Sequence, residues 1–163
     1  MKTKILYFIL ISFSLSCTAQ RKTERIPMKD YPQFYNKTVN NLNKVIKSKT
    51  DFYGKPLSDF LNELKRNHID VKSYDTTLNT YLKLNFNDDY DTSVESGRKG
   101  YSQPYIIINI RSPYFNYQEA MKILDKNHWY WGEEEENFYK NIIVDTIEFW
   151  DVDGLQNRQV KAR

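Results

Sequence analysis

The stretch Pro104-Tyr-Ile-Ile-Ile-Asn-Ile110 has the pattern expected in the middle of a β-sheet. Its continuous β-branched and aromatic run is typical of a strand that is covered on both faces in the middle of a sheet. We therefore expect Ile106, Ile108 and Ile110 to include buried core positions, with neighbouring strands on both sides.

Further strands are predicted before and after this segment. Leu82, Leu84 and Phe86 recur with a period of two, which indicates a half-buried strand. A shorter strand is expected at residues 71–74, and a last β-branched and aromatic strand at residues 142–150. The acidic stretch at residues 87–100 is expected to form a loop.

Three segments have the spacing of amphipathic helices. Leu57, Phe60, Leu61 and Leu64 stand at i, i+3, i+4 and i+7, which predicts a helix from Pro56 to about Asn67. The same periodicity predicts a helix at residues 32–48, and Asn116 opens a third that continues to about Lys126. The order of elements predicts a single α+β domain at residues 30–155, with about four mostly antiparallel strands and three helices packed on them. Residues 156–163 are expected to form a polar, frayed tail.

The N-terminus has the three parts of a secretory signal peptide, expected at residues 1–19. Lys2 and Lys4 precede an apolar run from Ile5 to Leu15, and small residues follow from Ser16. The run is shorter than the roughly 20 apolar residues of a membrane span. The charged stretch at residues 20–29 lacks periodicity, which predicts a flexible linker.

The position of the cleavage decides what happens to the only cysteine, and two interpretations stay open. The segment Ser14-Leu-Ser-Cys-Thr-Ala-Gln20 resembles a bacterial lipobox, which implies a lipid on Cys17 and an anchor in the periplasm or at the outer membrane. Ser14 stands where such boxes usually carry Leu. Alternatively, an ordinary signal peptidase cuts after Ala19 and the mature chain of about 140 residues is secreted without cysteine.

Composition and charge argue against a disulfide-stabilised fold and against nucleic-acid binding. A single cysteine cannot form a disulfide within the chain, so the fold must be stabilised by its core. Without Lys2 and Lys4 the formal charge falls by two, from +3 to about +1, and a nucleic-acid partner is not implied.

The side chains that most often carry chemistry form no known motif. His68 and His128 each follow a predicted helix and have no second His or Cys at i+3 or i+4, so no zinc site is predicted. No nucleophile elbow and no cofactor-binding motif occurs. The acidic runs at residues 85–91 and 151–154 are interpreted as solvated turns, and Glu133–Glu136 as the start of a short helix.

The segment at residues 128–132 places three large aromatic rings in a row. Trp129, Tyr130 and Trp131 cannot all face the core, and in an extended chain Tyr130 points away from the two tryptophans. At least one ring is therefore expected at the surface, where it would bind a ligand or partner.

Three functional classes remain open. Because motifs of the common enzyme classes are absent from the sequence, we favour an exported, non-catalytic binding module whose ligand is a protein or saccharide at the cell envelope. The first alternative is an inhibitor or immunity-type protein against a toxin or hydrolase. The second is a hydrolase that uses isolated carboxylates.

Overall fold

In the part of the chain that the structure describes, the isoleucine-rich stretch forms the third strand of a four-stranded antiparallel sheet. The computed structural model describes residues 23–76 and 78–162. The strands are β1 (Ser73–Asp75), β2 (Tyr81–Asn85), β3 (Tyr105–Ile110) and β4 (Val144–Trp150), in the spatial order β1-β2-β3-β4. Strand β3 therefore pairs on both sides, and Ile106, Ile108 and Ile110 are buried, as predicted.

The prediction that β3 is covered on both faces is wrong. Ile107 and Asn109 alternate with the buried isoleucines and are only half-buried. The strand register places Ile107 between Lys83 of β2 and Glu148 of β4, so this second face carries charged side chains. Only every second residue of β3 is buried, so a continuous β-branched run occurs here in a strand with one buried face.

The described residues form five α-helices beside the sheet, which confirms the α+β class. Besides the three helices predicted to pack on the sheet, they include the short helix predicted to begin at Glu133 and one helix that was not predicted. They are α1 (Tyr31–Ile46), α2 (Leu57–Arg66), α3 (Tyr90–Arg98), α4 (Tyr117–Asn127) and α5 (Glu133–Tyr139), with a short 3-10 helix at Lys49–Phe52. Pro32 lies in the first turn of α1, and the Asn116 side chain caps α4 by accepting hydrogen bonds from the amides of Gln118 and Glu119. Helices α1, α2, α4 and α5 contribute buried side chains to one core with the inner face of the sheet.

Helix α3 occupies a region that was predicted to be a loop. Its buried residues are Thr92 and Ser96, whereas Tyr90 at its start is 80% exposed. Hydrophobic periodicity detects helices that bury apolar residues, and α3 buries polar ones. Asp89 caps the helix through hydrogen bonds from the Thr92 amide (2.7 Å) and hydroxyl (2.8 Å).

The N-terminal segment from Thr23 onward is attached to α3, although a flexible linker was predicted there. The amide of Ile26 donates to the Thr92 hydroxyl (2.9 Å), and the Arg25 guanidinium pairs with the Glu95 carboxylate. The Ile26 side chain packs against the core. Ile26 and Arg25 thus contact residues that are distant in sequence. Hydrophobic periodicity does not detect such contacts.

The C-terminal residues also differ from the frayed tail that was predicted. Residue Asp151 lies in the left-handed region (φ 59°), and its buried carboxylate accepts hydrogen bonds from the amides of Gln103 (3.1 Å) and Gln159. The Asp151 amide donates to the Val160 carbonyl (2.7 Å), and the Ala162 amide donates to the Phe149 carbonyl (2.8 Å). The tail therefore lies along β4, although most of its side chains are exposed.

The predicted signal peptide and Cys17 lie outside the described residues. Within residues 23–76 and 78–162, no helix has the length and apolar character needed to cross a membrane.

Candidate functional site

The aromatic segment forms a turn that joins α4 to an extra pairing at the edge of β1. His128 and Trp129 both have left-handed backbones, with φ of 52° and 68°, which is uncommon for residues with large side chains. After this turn the Tyr74 amide donates to the Trp129 carbonyl (3.0 Å), and the Trp131 amide donates to the Lys72 carbonyl (3.0 Å). These bonds hold the segment at residues 128–132, which we call the aromatic turn.

The three rings of the aromatic turn have different environments. Trp129 is 46% exposed, which confirms that at least one ring lies at the surface. Tyr130 is half-buried and forms a β-bridge with Ser73. Trp131 is 7% exposed and stacks on Tyr139 at 6.0 Å between ring centroids. An extended chain would place Trp129 and Trp131 on the same face. Because the backbone of Trp129 is left-handed, the segment is not extended there, and the two tryptophans have different environments.

A polar cluster lies beneath the aromatic turn. The Glu135 carboxylate is 1% exposed and accepts a hydrogen bond from the Asn127 side-chain amide (2.6 Å). The rings of Tyr74 and Tyr139 meet edge-on at 5.7 Å. Burial raises the pKa of both phenols, and the nearby Glu135 carboxylate raises it further. Both hydroxyls therefore stay protonated at neutral pH.

Helices α4 and α5 are joined through the same region. The Lys126 ammonium and the Asn127 amide both donate to the Glu134 carboxylate, at 2.7 Å and 2.9 Å. The hydrogen bond from Lys126 is the largest contribution that lowers the pKa of Glu134, followed by the one from Asn127. These bonds link the residues before the aromatic turn to the residues after it, so they fix the backbone that carries the exposed Trp129.

A second concave site is lined in part by the segment that leads into β1. We call it the α1 cleft, and its volume is about 430 Å³. Its walls come from four segments of the chain. They are Glu24 and Ile26 near the N-terminus; Asp30 and the α1 residues Gln33, Phe34, Lys37, Thr38 and Asn41; His68, Ile69, Asp70 and Lys72 before β1; and Phe86, Asn87 and Asp88 after β2. This volume falls within the range of small-ligand sites, about 300–1,000 Å³.

A smaller hollow of about 240 Å³ lies between α2 and Trp131. It shares Ile69, Asp70 and Lys72 with the α1 cleft. Since the Lys72 carbonyl also accepts the Trp131 amide, one short segment connects both cavities with the aromatic turn.

The two histidines have backbone roles at helix ends. His68 has a φ of 56°, and the Ile69 amide after it donates back to the Leu64 carbonyl (2.9 Å), which closes the C-terminus of α2. His128 ends α4 in the same left-handed conformation. His68 additionally lines the α1 cleft.

No family model matches this chain, and no curated protein or solved structure matches it either. Within the residues that the structure describes, no group of three or more His, Cys, Asp or Glu side chains could hold a metal ion. The function must therefore be argued from the cleft and the aromatic turn.

No sequence pattern predicted the α1 cleft as a site. Its residues come from four separate segments, and Phe86 was predicted only as part of a half-buried strand. The positions of two acidic residues in the sequence could have indicated the cleft. Asp70 and Asp88 flank two strands that pair in antiparallel orientation, with Ser73 opposite Asn85, so the two carboxylates belong to the same end of the sheet.

Proposed function

We propose that this protein is an exported binding module of the cell envelope and that the α1 cleft holds its ligand. The observation that carries the proposal is a cleft of about 430 Å³ with apolar and charged walls, built from α1 and from the segments that flank the paired strands β1 and β2. Helix α1 and the strand pairing hold these segments in place, which reduces the entropy lost on binding.

The envelope location is proposed from the N-terminal sequence. In this proposal Cys17 is acylated and anchors the domain in the periplasm or at the outer membrane; cleavage after Ala19 would release it instead. Only residues 18–22 separate Cys17 from Thr23, which contacts Asp89. A span of at most about 20 Å would therefore keep a lipidated domain close to the bilayer.

Mass spectrometry of the protein from native membranes tests the location. We expect a mature N-terminus at Cys17 that carries acyl chains. An N-terminus at Gln20 would contradict lipidation and retain export, whereas an intact Met1 in the cytoplasmic fraction would contradict export.

Cross-linking in intact envelopes tests the binding function. We expect a photoreactive group at Lys37, in the α1 cleft, to capture a discrete ligand or partner. The matched control is the same group at Lys47, an exposed lysine that follows α1 and does not line the cleft. Equal labelling patterns from the two positions would contradict a ligand site in the cleft.

A further inference from the structure

We propose that the α1 cleft binds a peptide segment in which lysine or arginine side chains alternate with apolar ones. This inference rests on the proposed function, because it names the ligand class of the same cleft. Three properties of the cleft support it: an apolar floor, an excess of carboxylates, and the spacing of those carboxylates.

The floor of the cleft is apolar and aromatic. Phe86 and Ile69 are buried, and the half-buried Phe34 packs against the core beside them. Such a floor removes apolar side chains of a ligand from water, which is the main favourable contribution to most binding. A small, fully hydrated cation would gain nothing from these rings.

The charged groups around the floor are mostly acidic. Four carboxylates, on Glu24, Asp30, Asp70 and Asp88, face two ammonium groups, on Lys37 and Lys72.

Lys72 already pairs with Asp70 at 3.8 Å. Glu24, Asp30 and Asp88 form no ion pair with any residue in the described ranges. The formal charge is +3 for the full chain and about +1 without Lys2 and Lys4, so the cleft is more acidic than the rest of the molecule and favours a cationic ligand.

The four carboxylates come from separate segments and do not converge on one point. They come from the N-terminal segment, the start of α1, the approach to β1 and the end of β2. Within the described part of the chain, no three acidic, His or Cys side chains converge closely enough to hold one metal ion. Separated negative charges over an apolar floor match a ligand with several separated positive charges and apolar groups between them, and a basic peptide has this chemistry.

Selection from a library of random heptapeptides on phage tests the proposal, with the processed protein immobilised as the target. We expect enrichment of Lys and Arg over Asp and Glu, together with at least one aromatic or aliphatic residue per peptide. No enrichment, or enrichment of acidic peptides, would overturn the proposal.

Variants then locate the site with one selected peptide, labelled and measured by fluorescence anisotropy. The double variant Asp30→Asn, Asp88→Asn should weaken binding about fivefold, since each exposed pair contributes modestly. The exposed carboxylate of Asp125 on α4 lies outside the cleft, so Asp125→Asn should leave the affinity unchanged. Equal losses in the two variants would place the peptide elsewhere. Competition by spermine at the same affinity as the peptide would show that charge alone is recognised, which also overturns the proposal.

The two proposals fail in different ways. If the cleft cross-linker captures an envelope ligand but the library yields no basic peptide, the binding module stands and the ligand class is wrong. If Lys37 and Lys47 label identically in envelopes, the proposed function fails whatever the library selects.

Discussion

Helices α2 and α3 differ by one residue in length, 10 against 9, but different interactions hold them. Helix α2 buries Leu57, Phe60, Leu61 and Leu64. Helix α3 buries only Thr92 and Ser96, and side chains around it supply hydrogen bonds instead. Gln103, for example, donates to the Ser93 carbonyl (2.7 Å) and the Ser96 hydroxyl (2.9 Å). Burial of apolar area and satisfaction of polar groups can both fix a helix, but only the first leaves a periodic pattern in sequence.

The largest effect should come from the apolar face of α2. Replacing the buried Leu64 by Ala removes core methyl groups and leaves a cavity, so we expect a loss of about 2–5 kcal/mol in the free energy of unfolding. Urea denaturation measures the loss. Asn62→Ala, at an exposed position of the same helix, is the control and should change stability little. A small effect of Leu64→Ala would mean that packing does not hold α2.

The polar face of α3 should give the next largest effect. Thr92→Val keeps the shape of the side chain but removes the hydroxyl that accepts the Ile26 amide, and we expect a loss of about 1–3 kcal/mol. Thr92→Ser retains the hydroxyl and should recover most of that stability. If Val and Ser behave alike in denaturant melts, hydrogen bonding does not explain how α3 is held.

The cap of α3 should show a smaller effect that depends on pH. Partial desolvation opposes ionisation of Asp89, but hydrogen bonds from Thr92 outweigh it and lower the pKa of Asp89 below its usual value. Its contribution is therefore complete above the pKa of the unfolded chain and is lost as the pH falls through the lower, folded pKa. Asp89→Ala should lose about 1 kcal/mol at pH 7.

Melts of the two proteins at a series of pH values test this assignment. The difference in stability between the wild type and Asp89→Ala should shrink as the pH falls below about 4, the usual pKa of an aspartate. A difference that is independent of pH would show that the charge on Asp89 has no part in the cap.

The smallest effect is expected on the outer side of α3. Tyr90 is 80% exposed, so Tyr90→Ala should change the free energy of unfolding by less than about 0.5 kcal/mol. Thermal unfolding of Tyr90→Ala and Thr92→Val compares the stability contributions of the exposed and the buried side of α3. A larger loss from Tyr90 than from Thr92 would reverse the comparison between α2 and α3.

The same contrast explains which parts of the fold could be predicted from the sequence. The four strands, the helices α1, α2 and α4, and the short helix that begins at Glu133 all follow from period or from capping residues. Helix α3, the attached segment around Ile26 and the tail held by Asp151 depend on hydrogen bonds between residues far apart in the chain. Such bonds become visible only when the chain has folded.

The candidate site was predictable to a smaller extent. Because three adjacent aromatic residues cannot all face the core, at least one ring was expected at the surface, and Trp129 is exposed. The sequence cannot show that His128 and Trp129 adopt left-handed backbones, which separates Trp129 from the buried Trp131. The α1 cleft brings together segments as distant as Glu24 and Asp88, so its shape depends on the complete fold.

The two additional pairings at the margins of the sheet have a consequence for self-association. An open strand edge offers unpaired amides and carbonyls to other chains and promotes aggregation. Here the bridge of Tyr130 to Ser73 covers the β1 edge, and the bridge of Lys161 to Trp150 covers the β4 edge. Deleting residues 156–163 would leave backbone amides and carbonyls of β4 unpaired at this edge, so we expect the truncated domain to self-associate more readily than the full chain.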